Sequence, residues 1–177
     1  MTERFESQWA FKEWAVVCAA LASGRQQILL RKGGIHEEHG LIQPAHDRFW
    51  LYPTRFHQSP EELIPKTDQL LADVQSREPV PGTISFREFV RVEAVAHITQ
   101  EDQLDALDGY HILSPETIRQ RFHYRQPGLY VLAVETYCLP DPLSVPELEQ
   151  FAGCKSWVEL PEPLQATGES VKLPENL

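Results

Sequence analysis

Apolar positions between Phe11 and Ala22 run nearly all the way round, and Ser23-Gly24 follows as a helix end would. This stretch predicts a mostly buried helix, with a β-hairpin as the rival. Ile28, Leu29 and Leu30 lie within Gln26 to Lys32, ahead of the breaker Gly33-Gly34, which is the pattern of a short buried strand. Ile35 to Asp47 mixes charges with histidines without a period and reads as a surface loop. Phe49 to Thr54 predicts a second strand, stopped by Pro53.

Ser59-Pro60-Glu61-Glu62 supplies a cap residue, a proline at the first helical position and acids facing the positive end of the helix dipole, so a helix should start there. Pro65 interrupts it, and Leu70, Leu71 and Val74 predict a second segment from Thr67 to Ser76. After the break at Pro79 to Gly82, Thr83 to Thr99 alternates imperfectly between apolar and charged positions. It predicts one long strand, or a hairpin with a bulge near Phe89. Gln103 to Leu107 suggests a single turn. Ser114-Pro115-Glu116 repeats the capping logic, and Ile118 and Phe122 share one helix face. Leu129 to Leu139 is apolar on both faces and predicts a central, covered strand. Cys154 to Leu160 reads as the last strand. A single α+β domain is expected over 1–160, with 161–177 a loosely ordered acidic tail.

A chain of 177 residues has the size of one ordinary domain, and its 14 Pro and 9 Gly are scattered without a repeat, which favours many short elements over a bundle or solenoid. Met1 to Ser7 lacks the basic and apolar regions of a secretory signal. The longest apolar run, Trp14 to Ala22, is too short for a bilayer, so no membrane partner is expected. Cys18, Cys138 and Cys154 are odd in number and far apart. That pattern fits a reducing, cytoplasmic setting rather than a disulfide framework or a zinc knuckle. The net charge of -10 is unevenly spread: Ile118 to Val134 carries Arg119, Arg121 and Arg125 with no acid, and Arg25 to His57 is also rich in cations.

Candidate chemistry concentrates in those basic stretches. In Arg31-Lys32-Gly33-Gly34-Ile35-His36-Glu37, two cations precede a Gly pair whose amides could cradle an anion; a plain Gly-Gly turn with solvated charges is the alternative. The segment lacks the spacing of a P-loop, and no cofactor is implied. His36-Glu37-Glu38-His39 places its histidines three apart rather than four, so no metal site is expected. Trp50, Tyr52, Arg55 and His57 interleave aromatics with cations, as do Arg119, Arg121, Phe122 and Tyr124. Base stacking with phosphate contact needs that mixture, and a half-buried strand or an interface strip also produces it. Lys12, Lys155 and Trp157 are further pointers. Lys155 stands next to Cys154, where it could favour the thiolate.

Three blocks resemble a bacterial and cyanobacterial family known as domain-of-unknown-function family 1802. They are Phe11-Lys12-Glu13-Trp14-Ala15-Val16-Val17 through Leu29-Leu30-Arg31-Lys32-Gly33-Gly34-Ile35, Phe49-Trp50-Leu51-Tyr52-Pro53-Thr54, and Gly153-Cys154-Lys155-Ser156-Trp157-Val158-Glu159-Leu160. That family carries no assigned activity. Ala20 to Arg31, a helix, a Gly turn and a strand ending in Arg, more faintly resembles PUA-like barrels of the ASCH type. The later strand, helix and strand follow the same order. This second resemblance implies a mixed, largely antiparallel sheet curled into a PUA-like barrel with flanking helices, and recognition of RNA, DNA or a nucleotide.

The resulting expectation is a cleft lined by Arg31, Lys32, His36, Arg55, His57, Arg119, Arg121 and Tyr124, with Trp50, Lys155 and Trp157 as further ligand contacts. One alternative is a hydrolase in the same cleft, with Glu37 or Glu13 as general base and Lys12, Lys32 or His57 stabilising charge. Another is an interaction module whose basic strip docks an acidic partner.

Overall fold

The computed structural model of the chain describes residues 1–38, 41–56, 58–77 and 80–173, with the side chains of Glu37, Glu38 and Leu41 outside the description. Eight strands and three helices are described. The strands are β1 (Thr2–Trp14), β2 (Ile28–Arg31), β3 (Ile35–Glu38), β4 (Leu41–Pro44), β5 (Arg48–Thr54), β6 (Thr83–Ile98), β7 (Leu129–Pro146) and β8 (Trp157–Ser170). The helices are α1 (Ala15–Ala22), α2 (Asp68–Ser76) and α3 (Pro115–His123).

The main sheet has the order β2-β7-β6-β5-β1-β8, and β8 pairs again with β7. Five strands therefore return on themselves as a ring, with β2 added alongside β7. Only β1 and β5 run parallel in this sheet, and the remaining ladders are antiparallel. A parallel pair needs a crossover. Here α1, β2 and the β3–β4 hairpin lie between the two strands. The α+β class and the curled, mixed, largely antiparallel sheet agree with the expectation.

Two apolar clusters follow from strand alternation. Phe5, Ala10, Trp50, Tyr52, Phe89, Tyr137 and Val158 come from all five ring strands and fill its interior. Phe11, Phe49 and Leu51 point the other way, into a second cluster with Val16, Leu21, Leu29, Leu71 and Phe122, where the helices cover the sheet. The core of β5, Phe49 to Tyr52, is therefore buried on both faces. At Gly168 an added Cβ would stand 2.6 Å from Phe89 Cε1, so only glycine lets β8 pass this close to the aromatic interior.

Several elements differ from the sequence reading. Phe11 to Trp14 belong to β1 and only Ala15–Ala22 is helical, because the polar positions of β1 find partners: Glu3 pairs with Arg48 and Arg91, and Glu13 with Arg31. Ile35 to Pro44 forms the β3–β4 hairpin rather than a loop. The helix expected at Ser59-Pro60 is one 3-10 turn, since Leu63 leaves to bridge Leu113.

Residues 161–170, expected as a loose tail, complete β8 and pair with Thr2 to Ser7 of β1. Pro161 and Pro163 interrupt the strand pattern in the sequence. They fall between Glu159, opposite Trp9, and Leu164, opposite Ser7, where the register shifts and a missing N–H costs the ladder little.

β7 starts at Leu129 as expected but runs past Leu139 to Pro146, and Glu101–Leu107 is a longer 3-10 helix than the single turn expected, while α2 and β2 match closely. β6 is a single strand with register shifts between Phe86 and Glu88 and between Val92 and Ala94, flanking Phe89. α3 starts at Pro115, with Ser114 Oγ accepting a hydrogen bond from the Thr117 amide.

Candidate cation and aromatic site

β1, β2, α3 and the start of β8 bring four predicted residues to one place: Glu13, Arg31, Arg121 and Trp157. Arg31 ends β2. Its Nη1 lies 3.3 Å from Glu13 Oε2 and donates to the Lys12 carbonyl at 3.0 Å, while Nη2 donates to Ser156 Oγ at 2.9 Å. The guanidinium sits 4.3 Å from the centre of the Phe11 ring. Glu13 is buried, and its other oxygen accepts the Trp14 amide at 2.7 Å. This carboxylate is thus held by an ion pair and a backbone donor, the condition under which a buried charge is tolerated.

Arg121 approaches from the polar side of α3, whose apolar residues Ile118 and Phe122 anchor the helix in the core. Its guanidinium stacks 4.4 Å from the Trp14 ring centre, and Nη1 makes one long hydrogen bond, 3.4 Å, to the Leu30 carbonyl. Burial lowers the pKa of Arg121; the charge of Glu13 opposes that shift, Arg31 adds to it and Glu62 opposes it. No carboxylate among the described residues forms an ion pair with Arg121.

The Gly33-Gly34 turn packs against Ser156 and Phe11. Gly34 has φ +81°, and an added Cβ there would lie 2.9 Å from Ser156 Cβ and 3.2 Å from Phe11 Cε2. Its carbonyl accepts the Trp157 indole N–H at 2.8 Å. Trp157 in turn packs edge-on against Phe11, Phe49 and His46.

The other described candidates make their contacts elsewhere. Lys12 alternates with Glu13 on β1, and its Nζ donates to the carbonyls of Phe151 at 2.5 Å and Gly153 at 3.0 Å. Burial, then the charge of Lys155, lowers its pKa. Lys155 donates to the Gln150 carbonyl, so both lysines tie the loop before β8. Lys32 spends its three donors on the carbonyls of Phe122 (3.0 Å), Gln126 (2.6 Å) and Gly128 (2.6 Å), where α3 ends. Arg55 donates to the carbonyls of Val74 and Arg77 at the end of α2.

Arg119 and His123 share Glu101, at 3.7 and 2.8 Å. Tyr124 is exposed, with Arg125 5.1 Å from its ring centre. His36 is exposed on β3 opposite Gln43. Trp50 is 0% exposed in the barrel interior, its indole N–H donating to the Ser7 carbonyl, so it offers no face to a ligand. The Glu37 side chain and His57 lie outside the described residues.

The described residues among those expected to line one cleft are therefore distributed. Two cavities, of about 310 and 330 Å³, open around Glu93 and Val134, and none of the residues expected to line the cleft borders either.

Sequence reasoning missed Trp14, Ser156, Trp9 and His46. A period-2 reading of Trp9, Phe11 and Glu13 would have placed the first strip on one face of β1. His46, stacked on Trp9 at 4.2 Å and 18° from the loop before β5, left no such signal.

These features define an α+β barrel domain with a half-buried cation and aromatic cluster at one end of its first strand. The chain belongs to a family described as a domain of unknown function, DUF1802, whose model matches residues 10–176. No curated protein matches it. Among solved structures it is similar to ASCH from Zymomonas mobilis, at 17% identity over 86% of each chain with a TM-score of 0.49. Two single-residue variants of that protein are similar at 17% and 16% identity and TM-scores of 0.48, covering 86% of this chain and 88% and 87% of theirs. Among the described residues no helix is long and apolar enough to cross a membrane.

Proposed function

We propose that this domain recognises a nucleic acid or nucleotide through Arg121 and Arg31. One observation carries the reading: Arg121 is a desolvated guanidinium with no carboxylate partner among the described residues, beside the Arg31–Glu13 pair. A charge so placed is costly unless an anion completes it. Its planar fork suits a phosphate, and the faces of Trp14 and Phe11 hold both guanidiniums in fixed orientation.

Arg119, which pairs with Glu101, and Tyr124 and Arg125, just beyond α3, lie apart from this pair and are not needed for the reading. The hydrolytic alternative asks Glu37 or Glu13 to act as a base; the engagement of Glu13 by Arg31 and the Trp14 amide works against that role for Glu13. The acidic-partner alternative shares the cations and differs in the shape of the ligand.

Fluorescence polarisation against RNA, DNA and free nucleotides at two salt concentrations tests the proposal. Salt-sensitive binding that Arg121→Ala weakens at least tenfold is expected. No binding to any of them at low salt overturns it.

A further inference from the structure

Outward from Arg31, cation and rings form a continuous file. Arg31 lies 4.3 Å from the Phe11 ring, Phe11 4.6 Å from Trp157, Trp157 5.0 Å from His46 and His46 4.2 Å from Trp9. Phe11 is wholly buried beneath; Trp157, His46 and Trp9 are each part-exposed. In a barrel whose interior holds Trp50, Phe86 and Phe89, two indoles placed at the surface next to a cation site are an odd use of large apolar rings.

We infer that this file is a track for a single strand of nucleic acid: phosphates at Arg121 and Arg31, and a base taking the place of the His46 imidazole on Trp9. The inference deepens the proposal above and rests on it. His46 stands where a base would. Its ring is within 18° of parallel to Trp9 and meets Trp157 edge-on at 79°, which is a slot with one flat wall and one aromatic rim. No room for a third ring exists between His46 and Trp9 at 4.2 Å, so a base must displace the imidazole rather than intercalate. Residues 45–47 link β4 to β5 outside any strand, so the plug sits on a connection rather than on the barrel wall. Burial keeps His46 below its ordinary pKa, which favours the neutral, base-like form of the ring.

A duplex keeps its bases stacked inside and cannot offer one to Trp9, whereas an unpaired strand can. The net charge of -10 further opposes attraction to a duplex backbone in general.

The test compares a labelled oligo-uridine strand with a blunt duplex of equal length, using the parent, Trp9→Leu, Trp9→Phe, His46→Gly and Arg121→Ala. The strand should bind about tenfold or more tighter than the duplex and quench tryptophan emission. Trp9→Leu should lose about tenfold in strand affinity, Trp9→Phe should recover most of it, and His46→Gly should bind at least as tightly as the parent.

Equal affinity for strand and duplex overturns the inference. So does strand binding unchanged by Trp9→Leu but weakened by Arg121→Ala, an outcome that leaves the anion reading standing. If Trp9→Leu does not fold, His46→Gly decides: a tenfold loss there would make the imidazole part of the site rather than its plug. A parent that binds neither strand nor duplex fails both readings together.

Discussion

Glu13 and Arg31 form an ion pair at 3.3 Å in which the carboxylate is 3% exposed and the guanidinium 17%. Neither charge can be removed alone without stranding the other. Glu13→Ala leaves Arg31 and Arg121 adjacent with no carboxylate between them and should cost about 3 kcal/mol in urea unfolding. Arg31→Met combined with Glu13→Leu should recover most of that loss. Additive losses would mean that the pair is not coupled.

Gly34 and Gly33 should respond differently to the same change. Gly34→Ala meets Ser156 and Phe11 and requires an L-residue at φ +81°, so a loss of roughly 2 kcal/mol is expected. Gly33 has nothing within 4 Å of an added Cβ, and Gly33→Ala should move the melting temperature little. Thermal denaturation of the two variants side by side checks the contrast.

Glu88 is a buried carboxyl on β6 whose pKa burial raises to about 7, against the opposing charges of Arg87 and Arg77. The folded state then holds a proton that the unfolded state releases near 4.5. Stability from this group is fully present below the unfolded value and is lost as pH rises through about 7, by roughly 3 kcal/mol in all. Glu88→Gln should therefore be more stable than the parent at pH above 8, as denaturant unfolding at several pH values would reveal. A pH dependence identical in both proteins would remove Glu88 from the account.

Lys32 satisfies three carbonyls where α3 ends and the chain turns into β7. Lys32→Met should destabilise by about 2 kcal/mol and raise amide exchange in α3. Because α3 carries Arg121, nucleic-acid affinity should fall as well, although Lys32 touches no ligand in this scheme. Unchanged exchange in α3 would contradict the role.

Much of the architecture was legible where local chemistry and burial agree. The Ser114-Pro115-Glu116 cap, the two-sided apolar run of β7 and the imperfect alternation of β6 each pointed to the element that forms. The failures share a cause. Glu3 and Glu13 sit on β1 as charges, and the positions that satisfy them, Arg48, Arg91 and Arg31, come from distant strands. No local pattern carries that information.

The site was legible in part for the same reason. Arg31, Arg121, Glu13 and Trp157 stood out by residue type, yet Lys32, Arg55 and Lys155 carry the same charges and close helix or loop ends. Which cations are spent on carbonyls depends on tertiary contacts alone. Trp50 shows the converse, since its neighbours on β5 looked like a binding surface and the ring fills the barrel.

The pairing of Thr2 to Ser7 with Leu164 to Glu169 joins the first strand to the last, and the Ser170 amide donates to the Met1 carbonyl. Thr2 to Ser7 thus wait for nearly the whole domain before their outer edge is covered. Closing so long a loop precedes any reward from the contacts it makes, so the ring should zip up late and slowly. Until then β1 is an unpaired edge, which its run of alternating charges from Glu3 to Glu6 protects from joining the wrong neighbour.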